Sequence, residues 1–132
     1  MAITHQYTLL CDDVRPEING KLILIGLYVP DIVVQQLPIL LPTLNFVQFL
    51  KIDETGQYSF RAKIQHLETG RELGQAIGTL NVVRPGLVIN AMRFGNLLLD
   101  RAGTFSFIVA FDSPPEEIIH SFEVILHATQ LH

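Results

Sequence analysis

Apolar and polar residues alternate with a period of two along most of this chain. That spacing places neighbouring side chains on opposite faces of a β-strand. Tyr7, Leu9 and Cys11 alternate with Thr8, Leu10 and Asp12 as a first strand, with the Cys11 parity expected in the core. Leu22, Leu24, Gly26 and Tyr28 alternate with Lys21, Ile23, Ile25 and Leu27 as a second. Pro16 and Asn19-Gly20 punctuate the connection, and Asn-Gly supplies a positive-φ corner, so the pair reads as a hairpin with a long loop. Residues 31–42 then predict a short edge piece and a crossover in which Pro38 and Pro42 exclude an uninterrupted helix.

A repeat organises the rest. Residues 53–60, DETGQYSF, match residues 100–107, DRAGTFSF, at a constant offset from Asp53 to Asp100. In each copy an apolar strand runs into an aspartate, turns through a glycine, and leaves with aromatics two apart on one face. Two such corners predict two hairpins, one for each part of a sandwich. Residues 59–65 and 76–83 read as strands about a turn at Thr69–Glu72, with a short helix over 71–77 disfavoured by Gly74 and Gly78. Arg84-Pro85-Gly86 turns again, residues 87–94 and 96–99 flank an interruption at Gly95, and residues 105–111 and 118–128 form a last pair. The expectation is an all-β protein: a two-sheet antiparallel β-sandwich, immunoglobulin-like or similar, of about eight strands. An OB-like barrel has fewer strands. The 132 residues suit one domain, 1–132.

Composition adds a surface problem. Apolar residues make up 48% of the chain and charged residues 17%, against roughly 25% in ordinary soluble domains. The surplus apolar surface implies a homo-oligomer or a protein partner. A net charge of −4 argues against nucleic acid and against an anionic membrane. Polar residues and prolines interrupt the apolar region from Ile32 to Leu50, so no membrane span is expected there. Cys11 is the single cysteine and the opening MAITHQYT lacks a basic region, which fits a reducing, cytoplasmic setting without a secretory signal.

The candidate chemistry is sparse. Cys11 sits in a strand beside two carboxylates that raise its pKa, which suits a structural thiol rather than a nucleophile. The five histidines make no metal-ligand spacing; His120 shares parity with Phe122 and Val124, and His66, just before a turn, is expected to be exposed. Two acidic clusters, Asp12/Asp13/Glu17 and Asp112/Glu116/Glu117, offer hard oxygen ligands for calcium if their loops share one end of the sandwich. Loop carboxylates joined by His66 or His120 in a closed pocket are the hydrolase alternative. Adjacent strand residues point to opposite faces, so Asp12 and Asp13 make a poor pair by themselves. One of them is expected to pin the bend, with Arg15, Asn19 or backbone amides as donors. No catalytic residue, metal set or cofactor is assigned. The structural or binding candidates are Asp12, Asp13, Arg15, Glu17 and Asn19.

Leu10-Cys11-Asp12-Asp13-Val14-Arg15, followed by Asn19-Gly20-Lys21-Leu22, Ile25-Gly26, Tyr28 and Leu41-Pro42, resembles an uncharacterised family of small bacterial proteins. Its opening signature is L-C-D-D-V-R…N-G-K…I-G-x-Y, matched here over the first third of the chain. The resemblance implies bacterial origin and a domain of unknown function, and carries no activity with it. The leading expectation is a non-enzymatic sandwich acting through protein contacts, with a calcium or small-ligand module as the alternative and a hydrolase third.

Overall fold

A computed structural model describes residues 3–127. Nine strands and no helix occur among them: β1 Ile3–Pro16, β2 Leu22–Leu27, β3 Ile32–Val34, β4 Ile39–Ile52, β5 Gly56–His66, β6 Glu72–Val82, β7 Gly86–Leu99, β8 Gly103–Phe111 and β9 Glu116–Leu126. They form two sheets, in the orders β2-β1-β4-β7 and β3-β9-β8-β5-β6. The fold is the all-β sandwich expected from the alternation. The edge piece β3 departs from the antiparallel expectation, since it pairs parallel to β9, with Ile32 opposite Val124.

The repeated corners are not hairpins. The first leads from β4 in one sheet to β5 in the other, and the second from β7 to β8. Each is an arch across the sandwich. The strands before the arches pair with each other, as do those after, with Phe46 opposite Met92 and Ile64 opposite Phe107. This interlocked Greek-key arrangement belongs to immunoglobulin-like sandwiches. The chemistry of an Asp…Gly corner is local, whereas the sheet that the next strand joins is decided by distant partners. True hairpins connect β1 to β2, β5 to β6 and β8 to β9. Residues 71–77 lie in β6 opposite β5, as a strand rather than a helix. Gly95 does not end β7, although the inward positions shift from Phe94 to Leu97 across Asn96, whose φ is 53°. The predicted last strand runs on to Ala128, which lies outside the described residues.

Aromatic side chains join the sheets. Phe46 of β4 stacks on Phe107 of β8 with centroids 3.9 Å apart, and Phe94 of β7 meets Phe46 edge-on at 5.7 Å. Tyr58, Phe60, Phe105, Phe107, Phe111 and Phe122 also face inward, so the aromatics after both corners do share a face.

The first strand's faces run opposite to the sequence expectation. Leu10 and Thr8 point into the sandwich, and Tyr7 is 51% exposed on the outside. Thr8 faces inward because its Oγ1 accepts from the fully buried Gln48 across the strand pair (3.3 Å) and lies 2.8 Å from His5 Nε2. The resulting polar cluster interrupts the apolar interior. His66 is likewise not exposed but 3% accessible. Its Nε2 lies 3.3 Å from the Ala102 carbonyl and its Nδ1 3.0 Å from Thr69 Oγ1, so the second arch closes over the ring.

Candidate functional site

The family-like motif forms a single clasp between β1 and β2. Cys11 pairs with Leu27 and Asp13 with Ile25, so Asp12 lies opposite Gly26. Gly26 has φ +68°, and any β-carbon added there would overlap the Asp12 carboxylate. The glycine thus meets two demands, a left-handed backbone and room for an acid. Tyr28 closes the clasp by donating its hydroxyl to Asp12 Oδ1 at 2.7 Å. Burial first, and the Asp12 carboxylate second, push the Tyr28 phenol well above its ordinary pKa. On the other side, Thr43 Oγ1 and Asn45 Nδ2 of β4 donate to the Asp12 carbonyl at 2.7 and 3.0 Å.

Asp13 points away from this clasp. Its Oδ1 accepts from the Val14 amide at 2.9 Å, and its Oδ2 meets Arg15 Nε at 3.2 Å. Three of the candidates, Asp12, Asp13 and Arg15, are therefore near one another, but their carboxylates have separate partners. Glu17 and Asn19 lie in the exposed turn; Glu17 contributes backbone bonds to Lys21 and Gly20. The two acidic clusters occupy opposite ends of the sandwich. Pro115, Glu116 and Glu117 line a cleft with Ile3, Thr4 and His5 at the start of β1, whereas Asp12 and Asp13 approach its other end. Among the described residues, no group of three His, Cys, Asp or Glu side chains is placed to hold a metal ion.

Three other titratable groups are wholly or partly buried. Cys11 is fully buried, and burial followed by the Asp12 charge raises its thiol pKa. His120 is half-buried; burial, then the His5 charge, lowers its pKa, and burial lowers that of His5. Clefts of about 320 and 520 Å³ lie on the β5–β6 face and beside Tyr28, and neither aspartate lines them.

The largest unexplained feature is the outer face of the four-stranded sheet. Cross-strand register arranges it in rows: Leu27–Cys11–Asn45–Arg93, then Leu9–Val47–Ala91, then Tyr7–Phe49–Ile89. Tyr7 and Phe49 stack with centroids 4.4 Å apart. Ile23 and Ile25 extend the face along β2, and Leu87 extends it along β7. Charges stand at its margins, with Asp13 and Arg15 at one end, Lys51 at the other and Arg93 on the β7 edge.

The outer face of the five-stranded sheet is built differently. Its rows are Ile77–Arg61–Ala110–Glu117, Gln75–Lys63–Ile108–Ile119 and Gln65–Ser106–Ser121, so every row carries polar or charged residues. Lys63 also pairs with Glu72 at 3.6 Å. Charges run through the rows of this outer face, whereas on the four-stranded sheet they stand at the margins of an apolar centre. Composition implies surplus apolar surface without placing it. The signal was present in β2, where Leu22 to Ile25 are apolar at both parities, as is expected of a strand covered on both faces.

A family model described as "Family of unknown function (DUF6941)" matches residues 6–124. The chain belongs to this family. In DUF6941 terms, the matched span includes the whole clasp and every strand of both sheets, apart from the start of β1 and the end of β9. Comparison with curated proteins returns no match. Among solved structures, the chain is similar to the C-terminal domain of wzt, with 14% identity, a TM-score of 0.52, and coverage of 99% of this chain and 75% of that one. It is also similar to a β-glucosidase from Listeria innocua solved with gluconolactone, with 8% identity, a TM-score of 0.51, and 96% of this chain covered. The chain spans 15–16% of the length of the Listeria β-glucosidases it matches. At these identities the likeness concerns the fold alone.

Proposed function

We propose that this chain is a non-enzymatic protein-interaction domain that works through the outer face of its four-stranded sheet. The observation that carries this reading is the contrast between the two outer faces. Tyr7–Phe49–Ile89 and Leu9–Val47–Ala91 are adjacent rows without a charge, and the next row, which holds Leu27, has its one charge, Arg93, at the β7 edge, while the opposite sheet interleaves Arg61, Lys63 and Glu117 with its aliphatics. An apolar patch of several hundred Å² bordered by polar residues is characteristic of a protein-contact surface. Asp12 serves this surface indirectly, because its bond to Tyr28 ties the end of β2, and with it Ile23, Ile25 and Leu27, to β1. A cytoplasmic setting is part of the proposal and fits the lone, buried thiol.

Sizing the chain in native cell extract tests it. Wild-type protein should elute well above the size of a 14.8 kDa monomer. Leu27→Asp should shift it to the monomer position, and Ile77→Asp, on the opposite face, should leave it in place. A wild-type chain that elutes as a monomer would contradict the proposal.

A further inference from the structure

The apolar face carries a pattern that goes beyond hydrophobicity. Its rows are arranged nearly symmetrically about Leu9–Val47–Ala91. On one side lie Tyr7–Phe49–Ile89 and then the row of Thr4, Lys51 and Leu87. On the other lie Leu27–Cys11–Asn45–Arg93 and then the pairs Ile25–Asp13 and Thr43–Gly95. The two sides have opposite relief. The large rings of Tyr7 and Phe49 stack on one side, with Tyr7 51% exposed, whereas the other side carries the smaller Cys11 and Asn45, 0% and 4% exposed; Val47 on the central row is 0% exposed as well. At the ends, Leu87 projects on β7 where Gly95 has no side chain, and Lys51 stands where the far end carries Asp13.

From this relief we infer that the partner of the face is a second copy of the chain, docked about a two-fold axis. The inference rests on the docking reading above. The axis lies in the interface, crosses the strands, and passes over the row Leu9–Val47–Ala91. That rotation exchanges the two halves of the face. The rings of Tyr7 and Phe49 then settle over the smaller Cys11 and Asn45 side chains of the copy, Leu87 over Gly95, and Ile89 along the stem of Arg93. Lys51 arrives one strand away from the copy's Asp13. Each contact occurs twice, as an isologous interface requires.

Area and packing agree with a second copy. Four strands about 4.8 Å apart and about ten residues rising 3.3 Å each give a footprint of roughly 600 Å². Standard interfaces bury about 800 Å² per partner, so a dimer of this face, with its margins, is of ordinary size. Two sheets also pack face to face readily when strand directions lie within about 30° of each other. No charge stands on the axis, so the two copies meet there without like-charge repulsion.

Sedimentation velocity of the purified chain over a wide concentration range tests the inference. Wild type should move from monomer to a particle of twice 14.8 kDa. Leu9→Lys puts two ammonium groups on the axis and should abolish the dimer. Asp13→Lys should weaken it about tenfold, and adding Lys51→Asp should restore most of that loss, because the charges are exchanged rather than removed. Failure of the second exchange to rescue the first would overturn this docking register. A purified wild type that stays monomeric, while the native extract still shows a Leu27-dependent complex, would overturn the second copy as partner and leave the docking reading standing. A monomer under both conditions would overturn both.

Discussion

Replacing Phe107 by alanine is expected to remove about 4 kcal/mol of unfolding free energy, within the usual 3–5 kcal/mol for a buried Phe→Ala change. Phe107 is fully buried at the centre of β8. Its ring stacks on Phe46 from the opposite sheet at 3.9 Å, and Phe94 approaches it edge-on at 6.0 Å. Phe46 in turn lies 5.7 Å from Phe122, so one ring is in contact with aromatics from both sheets. Removing it leaves a cavity between two hydrogen-bonded sheets, which cannot close without moving a whole strand. Domains of this size are stable by only about 5–15 kcal/mol, so much of the total would go. Urea denaturation followed by far-UV circular dichroism measures it. Ile77→Ala, on an 83% exposed residue, serves as the control and should change stability by less than about 0.5 kcal/mol. A Phe107→Ala loss below about 1 kcal/mol would mean that the two sheets do not meet through this ring.

Gly26→Ala is expected to cost about 2–3 kcal/mol, from two separable sources. A left-handed backbone costs an alanine about 1 kcal/mol or more. The added carbon also displaces the Asp12 carboxylate and breaks its bond to Tyr28, worth another ~1–2 kcal/mol for a charged acceptor. Gly20 separates the two sources. Its φ is +76°, but nothing lies within 4 Å of an added β-carbon, so Gly20→Ala should show only the backbone cost. Tyr28→Phe supplies the complement, since it loses the bond and keeps the backbone. If Gly20→Ala and Gly26→Ala destabilise equally in denaturant titrations, the carboxylate does not occupy the space assigned to it.

Much of the fold was readable from alternation and turn residues, because both act over a few residues. The hairpins β1–β2, β5–β6 and β8–β9 follow from Asn19-Gly20, from Thr69 to Glu72, and from the polar run Asp112–Glu117. The arches did not follow. An Asp…Gly corner before Tyr58 or Phe105 looks the same whether the chain returns within a sheet or crosses to the other. The faces of β1 were misread for a related reason. Alternation identifies the core only when one face is polar, and Tyr7, Leu9 and Cys11 are as apolar as the positions that face inward. Buried Gln48 donates to buried Thr8 across 40 residues, a bond that no local pattern records. His66 looks exposed in the sequence because the arch that covers it begins 34 residues later, at Asp100.

The candidate site was partly legible. Two acids at the end of an alternation marked the clasp, but their partners Gly26 and Tyr28 stood out only through the family-like signature. A glycine inside an apolar strand is the physical cue, since it marks a close approach by another group. The apolar outer face was visible only as a compositional surplus. Locating it required the register of four strands.

Hydroxyl-radical footprinting of the chain in its native extract tests the central claim most directly, that this outer face is covered by protein. Tyr7, Leu27 and Ile119 make a matched set, because the single chain leaves them 51%, 46% and 55% exposed. The account predicts that Tyr7 and Leu27 are protected several-fold relative to the unfolded chain's reactivity, while Ile119 on the opposite sheet reacts as its exposure dictates. Labelling of all three in proportion to their single-chain exposure would contradict it.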